Sequence, residues 1–489
     1  MEKVIEFLKN RGYPNVDTSY YSYIKKWIQI WQGNAEWLNV QTVENKKYPM
    51  YSLQMGKQVC EDFASIINSE PYDIVASKND EILQQDLKQA KVMEKLSDNI
   101  EIMAFSGTVG TITRIKNASI VTNGDNYILK RNNKTKIKTI DLRANQIIPL
   151  TIEDGEIINC AFVSEEKRKI NNELVKIYYL EIHELLDKGY QVTNKYLRAD
   201  NGTEILSNNI IPTYNTLSNI PLFSLARVKR VNNKDNNNGL GMALFGNATD
   251  QLMMNDLVYN NFGMDFKLGQ KLLIINKKLT RTEIEEYTDK KTGQVKTRPK
   301  VIYPSDIRKQ QFMSIDDEMM SNGNDKPYIH EFNPNLRVGD NKEGVQFTLD
   351  NLSFKCGFGT RYYSFENGVV NTATEAILSN KDLVNNSRKN RSEVNNYLIG
   401  ICRALLLCEK MLGNAEIDEK QDISIKDVDG FLEDDGTKRD KAKEEVSMGL
   451  MSKKRYLMEV KNMSEEEALK EIKEIETEDD ITDIDMSAE

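Results

Sequence analysis

The chain has 489 residues, 39% of them hydrophobic, with a mean hydropathy of −0.57 and a formal net charge of −9. That length accommodates two or more domains with real cores, and the charge excludes a uniformly basic nucleic-acid binder. The acidity sits at one end: residues 461–489 carry 12 acidic and 3 basic residues, so the remainder is close to neutral.

The N-terminal stretch MEKVIEFLKNRGY reads as the start of an amphipathic helix with charges throughout, not as a secretory leader. No apolar run approaches the roughly 18 residues of a membrane span. The expectation is a protein made and kept in the cytoplasm, or in something assembled there. Residues 1–70 read as helical. Ser19 to Trp31 places Tyr20, Tyr23, Ile24, Trp27 and Ile30 at near-helical spacing. Tyr51 to Ile67 gathers Leu53, Met55, Val59, Cys60, Phe63, Ile66 and Ile67 largely on one face. Ser52 is its expected N-cap, and the run through Pro71 ends it. Asp80 to Ala104 is a second helical block.

From Ser106 the period changes to two. Thr108–Asn117, Asn126–Arg131, Ile147–Ile152, Ile157–Ser164, Val175–Ile182 and Gly189–Leu197 alternate apolar and polar residues between Gly, Asn and Asp turns, as strands do. The stretch NNKDNNN from Asn232 is a solvated linker, and Gly239 is expected to open a long helix. Lys271 to Ile275 reads as a strand start. Residues 276–339 form a mildly basic unit: residues 271–339 hold 13 basic and 10 acidic residues. Its four prolines argue against a continuous helix, so a small α/β insertion is expected. Helix returns from Lys342 to Cys356, and again from Ala373 to Leu412. Asp422–Val428 is a short strand candidate. Lys438–Lys461 and Ser464–Ile475 are helical, with Ser464 and Glu467 forming a capping box. The last residues, 476–489, are too charged to pack.

Catalytic sets are hard to assemble from this chain. His183 and His330 lie far apart in sequence, and neither has a partner motif for triad or metal chemistry. Cys60, Cys160, Cys356, Cys402 and Cys408 read as small buried hydrophobes in a reducing compartment. Gly239-Leu240-Gly241 lacks the third glycine of a dinucleotide loop, since position 244 is Leu244. The run from Ser106 to Thr111 lacks the lysine of a phosphate loop. Asp316-Asp317 and Asp434-Asp435 are solvated loop charges rather than a two-metal site. Glu283, Glu285 and Glu286 read as a charged helix face. Met253, Met254 and Met264 read as a subunit contact. No enzyme and no cofactor is expected.

One stretch stands apart. Tyr362 to Leu383, YYSFENGVVNTATEAILSNKDL, has an aromatic helix end, a short loop at Glu366-Asn367-Gly368 and then a long Asn- and Ser-rich helix. The order of helix, insertion, helix, loop and polar helix resembles the portal (connector) proteins of tailed bacteriophages, in the branch infecting low-GC Gram-positive hosts. The run from Gly239 to Asp250, followed by Asp256 and Tyr259, is similar to the start of that branch's first stem helix. Tyr362 to Thr374 with Glu375 looks like its junction of second stem helix, tunnel loop and tunnel helix. Trp31-Gln32-Gly33-Asn34 with Trp37, Tyr51 to Ala64, and Val446 to Lys454 resemble further segments, so the matches span nearly the whole chain in the family's order.

The resemblance implies an α+β portal fold: wing (1–240), first stem helix (241–270), clip (271–339), second stem helix (340–357), tunnel loop and helix (358–399), then a helical crown and acidic tail (400–489). It implies a dodecameric ring at one capsid vertex, in the virion and in the host cytoplasm during assembly. The ring would be the channel for double-stranded DNA during packaging and ejection. Its partners would be the terminase large subunit, the head-tail adaptor, and scaffolding and major capsid proteins, with no membrane. Glu366, Asn367, Gly368, Asn371, Thr372, Thr374, Asn380 and Asn385 would line the channel. Each phosphate neutralised by a cation adds affinity, so a neutral, hydrogen-bonding series suits a duplex that must slide; Ser379, Asn386 and Ser387 belong to the same series. Gly368 suits a loop that changes conformation. Lys290, Lys291, Lys296 and Arg298 of the clip would dock the motor or adaptor. Two other classes compete. A minor head or adaptor protein is usually far shorter. A nuclease or nucleotidyltransferase needs carboxylates clustered near Lys or His, which the chain does not offer.

Overall fold

The structure is a computed structural model. It describes residues 2–13, 19–41, 47–123, 126–170, 173–205, 211–234, 239–276, 282–289, 293–301, 312–315, 329–364, 381–426, 442–460, 463 and 467–472.

The fold is α+β. An antiparallel sheet runs in the order Glu204–Ile205, Gly189–Arg198, Glu173–Leu186, Glu156–Ile170, Ile147–Glu153, with Thr213–Asn215 also paired to Gly189–Arg198. The amphipathic helix Glu2–Asn10 covers one face of it. Val4, Ile5 and Leu8 are buried against Ile148, Ala161, Val163, Leu180, Ile182 and Leu197. A fully buried Leu or Ile contributes roughly 1.5–3 kcal/mol, so this small cluster suffices to hold the helix on the sheet. A second antiparallel sheet is ordered Phe223–Arg227, Thr108–Lys116, Lys136–Arg143.

That second sheet meets the main core. The helices Tyr20–Trp31, Met55–Ile67 and Leu96–Ser106 pack there with the long helix Lys381–Met411. The C-terminal half of the long helix is apolar nearly all round, with Leu398, Ile401, Cys402, Leu405, Leu406, Leu407 and Cys408 buried, as a helix running through a core must be. Contact with the sheet is close: Ser224 Oγ donates to the Tyr397 carbonyl at 2.9 Å, and a Cβ at Gly400 would stand 2.3 Å from Ser224 Oγ. Asp73–Ala76 and Ile423–Lys426 pair antiparallel, so the strand after the long helix returns to the N-terminal part of the chain.

Several expectations change. The block from Asp80 is two helices, Asp80–Ala90 and Leu96–Ser106, divided where Lys91 turns left-handed (φ 57°). The helix expected from Tyr51 begins at Met55, and Ser52 does not cap it; Ser52 Oγ donates instead to Asp256 at 2.7 Å. Residues 239–248 are not helical, and the helix begins at Thr249. The cause is a backbone crossing. A Cβ on either Gly107 (φ 84°) or Gly241 would lie 2.2 Å from the other's carbonyl oxygen. Gly241 N donates to Thr108 Oγ1 and Leu244 N to the Ala104 carbonyl, bonds incompatible with an early helical turn. Thr282–Thr288 is a strand paired to Val295–Val301, so Glu283, Glu285 and Glu286 lie on a strand, not a helix. Leu272–Asn276 pairs parallel to Phe312–Ile315 and antiparallel to Ile329–Phe332, so the described part of the insertion is all β rather than α/β. The helix expected over 438–461 breaks at Gly449 (φ 73°). The capping box at Ser464 lies outside the described residues.

Candidate functional site

The helices Thr249–Leu268 and Val338–Cys356 form a hairpin that flanks the insertion. Their contacts run antiparallel. Asn255 Nδ2 donates to Thr348 Oγ1 at 3.0 Å in the buried interface, and Asp265 accepts from Arg337 at 2.8 Å and from Asn341 at 2.7 Å near the insertion. Hydrogen bonds from Arg337 and then Asn341 hold the Asp265 carboxyl below its ordinary range.

This pair carries apolar side chains on more than one side. One side is buried in the main core through Leu252, Val345, Leu349, Leu352 and Cys356, with the Asn255–Thr348 bond beside them. A second set of large apolar side chains is exposed: Met253, Met254, Leu257, Phe266 and Leu268 on one helix, Phe347 and Phe354 on the other. Phe347 is 70% and Phe354 59% exposed, seven residues apart and so on one side of the helix. A monomeric surface scatters such residues; a contiguous set marks a contact.

The hairpin is anchored at two places that the sequence did not flag. Asp256, buried on the first helix, accepts from Trp37 Nε1 (2.9 Å), Ser52 Oγ (2.7 Å) and Leu53 N (3.2 Å). Arg230 donates to the carbonyls of Leu244, Lys355 and Cys356 at 3.0, 3.2 and 2.6 Å. A guanidinium suits the C-terminus of the second helix, where carbonyls lack partners. Burial pulls the Arg230 pKa down from its usual value. Asp256 was visible in sequence only as part of a resemblance, and Arg230 carried no signal.

The residues expected to line a channel are divided by what the structure describes. Glu366, Asn367, Gly368, Asn371, Thr372, Thr374 and Asn380 lie outside the described residues. Asn385 is exposed near the start of the long helix. Its neighbours differ: Asn386 Nδ2 donates to the Gly357 carbonyl, and Ser387 is buried with its hydroxyl on the Leu383 carbonyl. Ser387 is therefore no lining residue.

In the insertion, Lys290 and Lys291 lie outside the described residues, whereas Lys296 and Arg298 sit on one face of the two-stranded hairpin. Register places Tyr287 opposite Lys296, Glu285 opposite Arg298 and Glu283 opposite Lys300. Lys296 pairs with Asp289 at 2.5 Å, and Glu285 takes both Lys300 (2.8 Å) and Arg298 (3.1 Å). Lys300 and then Arg298 hold the Glu285 carboxyl below its ordinary range. Arg298 also lies over the Tyr287 ring, 5.0 Å from its centre. The expected free positive surface is, at these two residues, neutralised by the hairpin's own carboxylates.

The two histidines have contrasting settings, and the residue across the strands from His183 is Cys160, a buried thiol whose pKa burial pushes up. His183 is fully buried between the edges of Phe162 and Phe223, with Nε2 2.9 Å from Glu181. Burial opposes the Glu181 charge, but Arg114 and His183 hold its carboxyl below the usual range. His330 is an exposed strand residue opposite Ile274. A cavity of about 820 Å³ adjoins Gly239-Leu240-Gly241, but its cations are engaged: Arg227 with the Gly155 and Gly239 carbonyls, Lys229 with Glu393, Arg230 with the helix ends. Among the described residues no group of three or more His, Cys, Asp or Glu could hold a metal ion, and no helix is long and apolar enough to cross a membrane. The five cysteines are buried and unpaired, and burial pushes the Cys60 and Cys356 thiols up. No protein-family model matches the chain, and no curated protein matches it.

Proposed function

We propose that this chain is a portal (head-tail connector) protein of tailed bacteriophages. It assembles into a ring at one capsid vertex, passes double-stranded DNA during packaging and ejection, and catalyses nothing itself. In this reading residues 1–240 are the wing, the helical hairpin is the stem, the insertion between its helices is the clip, and 358–399 supply the tunnel loop and helix. The clip meets the terminase motor and then the head-tail adaptor.

The observation that carries the reading is the set of exposed apolar side chains that the helical hairpin keeps besides its buried side. Two helices that already bury Leu252, Leu349 and Leu352 in this chain's own core and still display Met253, Leu257, Phe347 and Phe354 offer those further faces to neighbours. A ring supplies them, because each copy then offers its flanks to the next.

Purified full-length protein is expected to sediment as one large species and to show closed rings with a central hole in negative stain. Compact monomers at high concentration would overturn the proposal. Phe347→Glu with Phe354→Glu should reduce the rings to small species without lowering the melting temperature of the chain. Assembly indistinguishable from wild type would remove these faces from the subunit contact.

A further inference from the structure

We infer that the sheet surface bearing Lys116, Lys136 and Lys138 binds the phosphate backbone of nucleic acid. Residues 114–143 carry eight basic and two acidic residues, a local excess hidden by the acidic total. Strand register turns that excess into a surface. Lys116 stands directly opposite Lys136, and Arg114 opposite Lys138, all on the same face of two neighbouring strands. Directly opposed side chains have Cβ atoms about 4.5–5.5 Å apart, and like charges there are destabilising. Alternate residues along a strand add a spacing of about 6.8 Å.

These charges are not neutralised within the chain. Arg114 is committed to Glu181 at 2.5 Å. Lys116, Lys136 and Lys138 are exposed, and among the described residues no carboxylate pairs with them. The neighbouring loop is fastened to the same corner: Asn132 Nδ2 donates to the Asn117 carbonyl at 2.8 Å and to Ser119 Oγ at 3.0 Å, which brings exposed Lys134 alongside. A protein that tolerates stacked like charges at a rigid sheet edge keeps them for something that removes the repulsion.

The choice between a nucleic acid and an acidic protein follows from what the surface lacks. No large apolar side chain described within residues 108–143 is exposed. Protein partners are held by buried aromatic and aliphatic anchors. Nucleic-acid interfaces are more polar and far more positive, with Lys, Asn and Thr on phosphate oxygens. The surface is distinct from the tunnel segment and needs no ring to exist, so it stands or falls separately from the portal reading.

The test is fluorescence anisotropy of full-length protein with a short labelled DNA duplex of arbitrary sequence, across a salt series. Wild type should bind with an affinity that falls steeply with salt. Lys136→Glu with Lys138→Glu should weaken binding at low salt at least about tenfold and flatten the log–log salt slope by about 2. The Gln double variant should fall between. Lys176→Glu, which removes a lysine paired to Glu165 on the other sheet, should bind as wild type. Thermal melts check that the variants fold, and negative stain reads ring formation independently. No duplex binding at low salt, a double variant that binds like wild type, or a polyglutamate peptide that competes as well as unlabelled DNA would each overturn the inference.

Discussion

Two antiparallel strand pairs in this molecule carry clustered basic residues, on one strand in the insertion and across both strands in the second sheet, and they handle them in opposite ways. In the insertion every described cation on the charged face stands near a carboxylate of the same hairpin, and Glu285 serves two of them. At the edge of the second sheet lysine faces lysine across the strands, and Arg114 beside them reaches into the interior for Glu181. Basic content thus says little about a surface; strand register and the location of the carboxylates decide whether charge is consumed or displayed.

The comparison can be broken hardest at Arg114. Its guanidinium partners a carboxylate that is 1% exposed, so Arg114→Met should cost about 3–5 kcal/mol in urea unfolding, because the buried carboxylate loses its cation and keeps only His183. Next in size is a pH effect at the other end of the same segment. Arg131 pairs with buried Glu409, beside which burial and the Glu409 charge push the Asp86 carboxyl up from 3.8 to about 7. The folded state therefore holds that proton more tightly than the unfolded chain. Its stabilising contribution is complete below about pH 4 and is lost as pH rises through 7. Asp86→Asn should be more stable than wild type at pH 8, by roughly 2–4 kcal/mol, with the difference vanishing near pH 4. A gap that does not depend on pH would sever Asp86 from this titration.

Smaller effects sharpen the contrast. Lys136→Glu alone sets unlike charges across from Lys116 and should raise stability by about 0.5 kcal/mol, an unusual sign for a charge reversal. Glu285→Lys in the insertion should hardly move the melting temperature, since exposed pairs contribute little. It should nevertheless give that hairpin a salt-dependent affinity for duplex DNA, detectable by anisotropy. If it does not, displayed charge alone is insufficient and the sheet geometry matters.

Periodicity alone made much of the architecture legible. The helices Tyr20–Trp31 and Lys381–Met411, most strands between Thr108 and Arg198 and the short strand near Asp422 follow from apolar spacing, whereas Ser119–Asn123 and Lys136–Arg143, the latter rich in charge, were not foreseen. What could not be read depended on residues distant in sequence. Gly239 to Ala248 has helical composition, but the crossing of Gly241 over Gly107 forbids the turn. Glu283, Glu285 and Glu286 suit either secondary structure until their cross-strand partners are known. The candidate surfaces show the same division. Exposed apolar residues on the helical hairpin were foreseeable at Met253 and Met254, whereas Phe347 and Phe354 became informative only when the second helix turned them outward. The lysine face had no signal beyond local charge, because opposition of like charges is a property of register.

Arg230 has a mechanical consequence. One guanidinium bonds the segment entering the first hairpin helix and the last carbonyls of the second. Load applied at the far tip of this lever travels down both helices to a shared fulcrum, whose neighbour Lys229 is tied to the long helix through Asn390 and Glu393. A push on the insertion thereby reaches the core through this joint as well as through the Asp256 anchor on the first helix.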